Sequence, residues 1–231
     1  MELSGAVVLV TGASSGIGAA TARAAAAAGS RVVLAARRRD RIEALAAELP
    51  DALAVETDVT APGAIETLVG RVLEHYGRID VLVNNAGQGL HEPIERIGAD
   101  DLRAVLELNV VAALAAMQAV IPAMREQGAG AIVNVSSGTT LHTFPGVGGY
   151  AASKAALNTL SAVARLELAD DGIVVSTVYP RITATEFHDV LRAGALRAGA
   201  PSGTPPEEVA EVILGLVRSG EEQAVLPAPA F

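Results

Sequence analysis

Cysteine and tryptophan are absent from this chain of 231 residues, and aromatic residues make up only 3% of it. Without cysteine there are no disulfides, no thiol nucleophile and no thiolate metal site. With 51% apolar residues and so few rings, the core must be built from Ala, Val, Leu and Ile. Positive charge is also short: 17 Lys plus Arg stand against 26 Asp plus Glu, a formal net charge of −9. A uniformly acidic surface lacks the field that nucleic acid or an anionic membrane requires, so neither is an expected partner. The opening "MELSGAVVLV" lacks a basic region and does not read as a signal peptide. The uncharged run Leu108 to Met124 is short for a membrane span and holds Asn109, Gln118 and Pro122, so a buried helix is expected there. These absences set the expectation of a soluble, cytoplasmic protein. Lysine is the scarcest cation: sixteen of the 17 are arginine, and Lys154 stands alone.

What is present is an alternation. Short apolar, β-branched runs ("AVVLVTG", "RVVLAAR", "LAVETDV", "VLVNNAG", "AIVNVSS", "IVVSTVYP" and a weaker "QAVLP") are separated by helical patterns over 18–28, 40–48, 64–76, 101–127, 151–169 and 206–218. Continuous rather than alternating apolarity suits strands covered on both faces, as in a parallel sheet. Gly29, Gly77 and Gly172 fall where helices need a C-terminal glycine. The expected fold is α/β: one Rossmann-type doubly wound domain over 1–231 with about seven strands and helices on both faces. Residues 186–206, with the Pro/Gly-rich "AGAPSGTPP", form the one loop long enough to act as a substrate lid.

The first strand runs into "TGASSGIG", which supplies Gly12, Ser14, Ser15, Gly16, Ile17 and Gly18 before a helix. Such a turn lets backbone approach a pyrophosphate at a helix N-terminus, where free N–H groups favour an anion. The spacing is G-x-x-x-G-x-G rather than G-x-G-x-x-G, so the strand before and the helix after carry the assignment to a dinucleotide. Specificity is read about 20 residues on, where NAD sites place an acid. Here "LAARRRDR" places Arg37, Arg38, Arg39 and Arg41 instead. Arg37 and Arg38 are assigned to a 2′-phosphate and hence to NADP(H), with NAD(H) possible; Arg39 and Arg41 are expected to be solvated. Asp58 and Val59, ending the third strand, are expected at the adenine.

In "YAASK", Tyr150 and Lys154 lie at i and i+4, on one helix face. A phenol with a pKa of about 10 is a poor base at neutral pH. A neighbouring ammonium and an oxidised nicotinamide would lower it, and a compact ammonium can also reach ribose hydroxyls in a way a planar guanidinium does not.

"TGASSGIG", "NNAG" (Asn84 to Gly87), "NVSS" and "YAASK" together resemble the short-chain dehydrogenase/reductase family, in the family's order and across essentially the whole chain. The resemblance implies an Asn-Ser-Tyr-Lys tetrad at Asn109, Ser137, Tyr150 and Lys154, with Ser137 thirteen residues before the tyrosine. It implies that Tyr150 exchanges a proton with the substrate oxygen and that Ser137 orients that oxygen. It also implies that Lys154 lowers the tyrosine pKa and holds the nicotinamide ribose, while Asn109 positions a water beside Lys154. Further cofactor contacts follow at Asn85, Ala86, Gly87, Tyr150, Lys154, Pro180, Ile182, Thr183 and Thr185. The chain departs from the family in "YPRITATEF", where Arg181 replaces the usual glycine and is expected to point outward.

Leu141, Phe144, Val147, Phe187 and Leu191 are candidate apolar walls for a small carbonyl or alcohol substrate. His142 and His188 read as ordinary loop residues, and no metal spacing is found. The implied activity is an NADP(H)-dependent oxidoreductase in a homodimer or homotetramer. The alternatives are a noncatalytic NADP(H) sensor on the same fold, and another reaction, such as epimerisation, with retained cofactor.

Overall fold

The computed structural model describes residues 1–195 and 203–226. Seven strands pair in parallel in the order β3-β2-β1-β4-β5-β6-β7. They are β1 (Val7–Thr11), β2 (Arg31–Ala36), β3 (Ala52–Glu56), β4 (Val81–Asn84), β5 (Gly130–Val135), β6 (Ile173–Tyr179) and β7 (Gln223–Val225). Every residue of β1, β4 and β5 is buried, which is what their unbroken apolar runs require. The period of two splits β1 between two cores. Val8 and Val10 face α1 (Gly16–Ala27), α2 (Arg39–Glu48) and α7 (Pro206–Ser219), while Val7 and Leu9 face α3 (Ala64–Tyr76) and α5 (Ala112–Gln127). The chain leaves β1 toward β2 and β3, then returns to place β4 on the other side of β1. At such a reversal the loops after the strands diverge and open a crevice at their C-terminal ends.

The helix expected over 101–127 runs from Ala99 to Gln127, but not as a uniform α-helix. After α4 (Ala99–Leu106), residues Glu107–Val111 form a π turn, with Ala112 N–H donating to Glu107 O, before α5 begins. The run is long and apolar enough by composition to cross a membrane. Met117, Val120 and Met124 bury it against the sheet, as a packed helix should be. Two helices also start earlier than their sequence patterns indicate: α1 at Gly16, and α6 (Gly148–Glu167) three residues before Ala151.

One polar network crosses the apolar second core. Asn84 Nδ2 donates to Asn134 Oδ1 (2.9 Å) and Ala113 O (3.1 Å). Asn134 Nδ2 donates to Ser161 Oγ (2.7 Å), and Ser161 Oγ donates to Leu157 O (2.7 Å). Buried amides are tolerated only when paired, and these pairs fix α5 and α6 against the ends of β4 and β5. That fixes the helix bearing Tyr150 and Lys154 against the strands that carry the rest of the site.

Candidate active site

The crevice at the C-terminal ends of the strands is a cavity of about 1320 Å³. Every expected cofactor-contacting residue lines it except Gly18, and so do Ser137, Tyr150 and Lys154. Gly18 serves the packing of the turn instead. A Cβ there would run into the Gly12 carbonyl and the Asn85 amide, so its missing side chain lets α1 close on the residues before it. Gly12 has φ +67°, and a Cβ on it would sit 2.9 Å from Ala86 Cα. The turn is therefore locked to the "NNAG" segment. Thr11 Oγ1 accepts from the N–H of Asn85 and of Ala86 (3.1 Å each), and Asn85 Nδ2 returns to Thr11 O (3.0 Å). Ser15, at the N-terminus of α1, makes no side-chain bond to the helix's first N–H groups. An uncapped helix start behind a close-packed glycine turn suits a phosphate group, so this donor set fits the dinucleotide that the sequence implies.

At the far end of the crevice, Arg38 donates from Nε to Ser14 Oγ (3.0 Å) and from a terminal nitrogen to Ser14 Oγ (2.9 Å) and Ser15 Oγ (2.6 Å). Its other terminal nitrogen donates to Glu186 Oε2 (2.7 Å). Arg39 is exposed and paired with Glu43. Arg41 is not merely solvated, as expected, but also donates to Glu186, at 2.7 and 2.8 Å. Arg37 is exposed on the cavity wall. Asp58 accepts from Thr60 N (3.0 Å) and Thr60 Oγ1 (2.7 Å). These bonds, and then the Arg37 guanidinium, hold its carboxyl below the usual carboxylate range.

At the near end, Tyr150 and Lys154 project from α6 into the crevice. Lys154 Nζ donates to Val135 O (2.8 Å), and burial pushes its ammonium down to about 8. Burial pushes the Tyr150 phenol up to about 12, and only the Ser137 hydroxyl beside it acts in the opposite direction. The Tyr150 phenol is thus held protonated at neutral pH. Ser137 Oγ accepts from Thr139 N (3.2 Å) and Thr139 Oγ1 (3.0 Å), which fixes its lone pairs and directs it at the phenol. Neighbouring Ser136 Oγ also reaches the cavity wall, buried and without a partner.

Asn109 does not line the cavity. It lies in the π turn, fully buried, where Oδ1 accepts from Gln88 N (2.9 Å) and Nδ2 donates to Gln88 O (3.0 Å) and Ser153 Oγ (3.0 Å). Its amide grips the loop after β4 at one residue and α6 at another, one residue before Lys154. A Cβ on Gly87 would lie 3.1 Å from Asn109 Oδ1 and 3.4 Å from Lys154 Nζ, so the two groups flank that glycine. The wider turn is the local device that aims this amide out of the helix.

Residues 186–195 cross the mouth. Gln88 Nε2 donates to Val190 O (2.7 Å), Arg192 N to Gly89 O (2.8 Å) and His91 N to Ala193 O (3.0 Å). Phe187 packs beside Tyr150, with ring centres 5.6 Å apart. Residues 196–202 of the expected lid lie outside the described residues. Leu191 packs toward Gly89 rather than lining the cavity, whereas Leu141, Phe144, Val147 and Phe187 do line it. His188 and His91 are more than loop residues: their ring centres are 5.6 Å apart, and His91 lies 6.3 Å from Tyr150. Burial, and for His91 also the neighbouring His188, lowers both imidazoles. His91 had no motif or spacing to signal it.

Arg181, the departure from the family pattern, is exposed at the cavity rim and donates from Nε to Leu226 O (3.3 Å). Among the described residues no non-glycine has positive φ, so this position never required a glycine backbone.

The short chain dehydrogenase family model matches residues 6–195, and the chain belongs to that family of oxidoreductases. A 3-oxoacyl-[acyl-carrier-protein] reductase of Thermotoga maritima is 38% identical over 94% of this chain and 92% of its own length. A glycine betaine reductase of Emericella nidulans is 37% identical over 96% of this chain, which spans only 18% of that larger protein. Among solved structures, a short-chain dehydrogenase from Sphingobium yanoikuyae in complex with NADPH has TM-score 0.88 and 33% identity, over 97% of this chain and 89% of that one. A 3-ketoacyl-(acyl-carrier-protein) reductase from Brucella melitensis complexed with NADH has TM-score 0.88 and 28% identity, over 96% of each chain.

Proposed function

We propose that this protein is an NADP(H)-preferring enzyme that interconverts a carbonyl compound and its alcohol. The observation that carries this reading is the placement of a buried phenol and an oriented serine hydroxyl on one wall, with an arginine fork at the other end of the same crevice. The turn Gly12–Gly16 and the start of α1 would hold the pyrophosphate, Arg38 and Arg37 the 2′-phosphate, and Asp58 with Val59 the adenine. Bound there, the nicotinamide supplies or takes up the hydride.

The chain's own residues do the rest. A substrate oxygen between Ser137 Oγ and the Tyr150 hydroxyl accepts from both. At neutral pH a phenol held at about 12 is fully protonated, so it is ready to act as the acid for a carbonyl oxygen. In the alcohol direction the same oxygen must lose its proton first. The positive charge of Lys154, one helical turn away on the same face, favours that loss. Asn109 acts as a positioning residue that holds the Gln88 loop and α6 in register around Lys154. Residues 186–195, with Phe187 and His188, serve as the described part of a lid that excludes water. Exposed Val163 and Leu166 on α6 support a homo-oligomeric assembly through that helix.

The test is consumption of NADPH, with NADH alongside, over a panel of aldehydes, ketones, diketones and keto-thioesters. Turnover that falls about 10³-fold in Tyr150→Phe, with cofactor affinity retained, supports the reading. Tight NADPH binding without turnover on any carbonyl would favour the cofactor sensor instead.

A further inference from the structure

Glu186 is the acid that both cavity-side arginines share. Its Oε2 accepts from Arg38 and both oxygens accept from Arg41, so its carboxylate is fully engaged. Arg38 has spent its remaining nitrogens on the hydroxyls of Ser14 and Ser15, which points its fork along the phosphate turn and leaves one edge for an anion. That edge holds Glu186. The other nearby carboxylate on the cavity wall, Asp58, is tied to Thr60.

The flanking residues make Glu186 part of the crevice rather than a surface ion pair. Thr185 packs on the phosphate turn: a Cβ at Gly16 would lie 2.8 Å from its methyl group. Phe187 packs on Tyr150. Three consecutive residues thus touch the turn, the arginines and the catalytic ring. The Arg38 and Glu186 side chains keep 38% and 44% of their exposure, so their pairing exchanges readily with a competing anion. A phosphate carries more charge and more acceptors than a carboxylate and meets the same fork in the same way.

We propose that Glu186 is a specificity-determining residue of this site, because its carboxylate occupies the Arg38 fork in competition with the 2′-phosphate of NADP(H). It thereby sets how strongly the phosphorylated cofactor is favoured over the unphosphorylated one. The proposal rests on the NADP(H) reading above, and two fragment ligands separate the two. Calorimetric titration of the wild-type protein, Glu186→Gln and Arg38→Ala with 2′,5′-ADP and with 5′-AMP gives the required comparison.

The expected result is that Glu186→Gln binds 2′,5′-ADP about three- to tenfold more tightly than wild type, while 5′-AMP binds both alike. Raising the salt concentration should shrink that gain, because competition between exposed charges is screened. If Glu186→Gln binds 2′,5′-ADP with unchanged or weaker affinity while Arg38→Ala loses it, the carboxylate is idle or helps to orient the arginine, and the proposal falls alone. If wild type binds the two fragments equally and Arg38→Ala changes neither, the NADP(H) reading falls and takes this proposal with it.

Discussion

At the tyrosine end of the crevice, Tyr150, Lys154 and Asn109 are 8%, 3% and 0% exposed, and their bonds run to backbone and to one another's helices. At the arginine end the polar side chains stand half in water, and they bond to serine hydroxyls and to a carboxylate from a distant loop. The first end carries a desolvation penalty that only rigid surroundings sustain, and burial drives the titration of both its tyrosine and its lysine toward the neutral form. The second end carries little penalty and little net interaction energy per pair. On the proposed function, chemistry is assigned to the end where the groups cannot move, and cofactor choice to the end where partners exchange.

The sharpest way to break this contrast is at Lys154. Replacing it with Arg keeps the charge but cannot place a compact ammonium on Val135 O, and turnover should fall about 10²-fold or more while the fold remains. Retention of most activity would show that the lone lysine is incidental. The same residue tests the penalty itself. Its folded value, about 8, lies below that of a free lysine, so below pH 8 the protein carries the whole cost of a buried ammonium. Between about 8 and 10.5 the unfolded chain binds more protons, so this cost declines as pH rises. Lys154→Met should therefore be more stable than wild type by about 2 kcal/mol at pH 7, with the gap closing toward pH 10. Denaturant melts at both pH values measure it, and a variant no more stable than wild type at pH 7 would overturn the account.

At the arginine end the effects should be smaller and confined to ligand choice. Arg38→Ala should cut the NADPH-to-NADH preference about tenfold in kcat/KM and leave the pH profile of turnover unchanged. The smallest effect concerns residues 186–195 between the two ends. His91 and His188 titrate below the free value, so they disfavour the folded state as pH falls below about 6.5. Asp189 and the Ala195 carbonyl act against that trend. The Tm of His188→Gln should drop less than that of wild type between pH 7.5 and 5.5, by about 1–2 °C. Parallel curves would show that these rings do not couple to folding.

The tyrosine end was legible in the sequence and much of the arginine end was not, for physical reasons. Strands buried on both faces print their burial as unbroken runs of Val, Leu and Ala, so "AVVLVTG" and "AIVNVSS" announced where the crevice would open. Tyr150 and Lys154 share one helix, where spacing alone decides what faces the same way. Glu186 reaches Arg38 across 148 positions through a loop whose path no periodicity encodes. The same holds for His91, brought to His188 by backbone bonds between two loops. The π turn at Asn109 left no mark, because "ELNVVAAL" reads as ordinary helix and its extra residue per turn shows only in which way the amide points. At Arg181 the departure from the family pattern was harmless for a reason local to the backbone: a missing glycine would matter if the backbone there were left-handed, and it is not.

A chain with one lysine carries its own reporter. Apart from the amine of Met1, every amine-directed reagent that enters this protein can react at a single side chain, and that side chain forms part of the crevice wall. Because burial holds Lys154 at about 8, a sizeable share of it is uncharged and nucleophilic at mildly alkaline pH, where most exposed lysines are protonated. The mass of the labelled protein thus reads out site access directly, without a substrate, and any ligand that fills the crevice should register as protection of one residue.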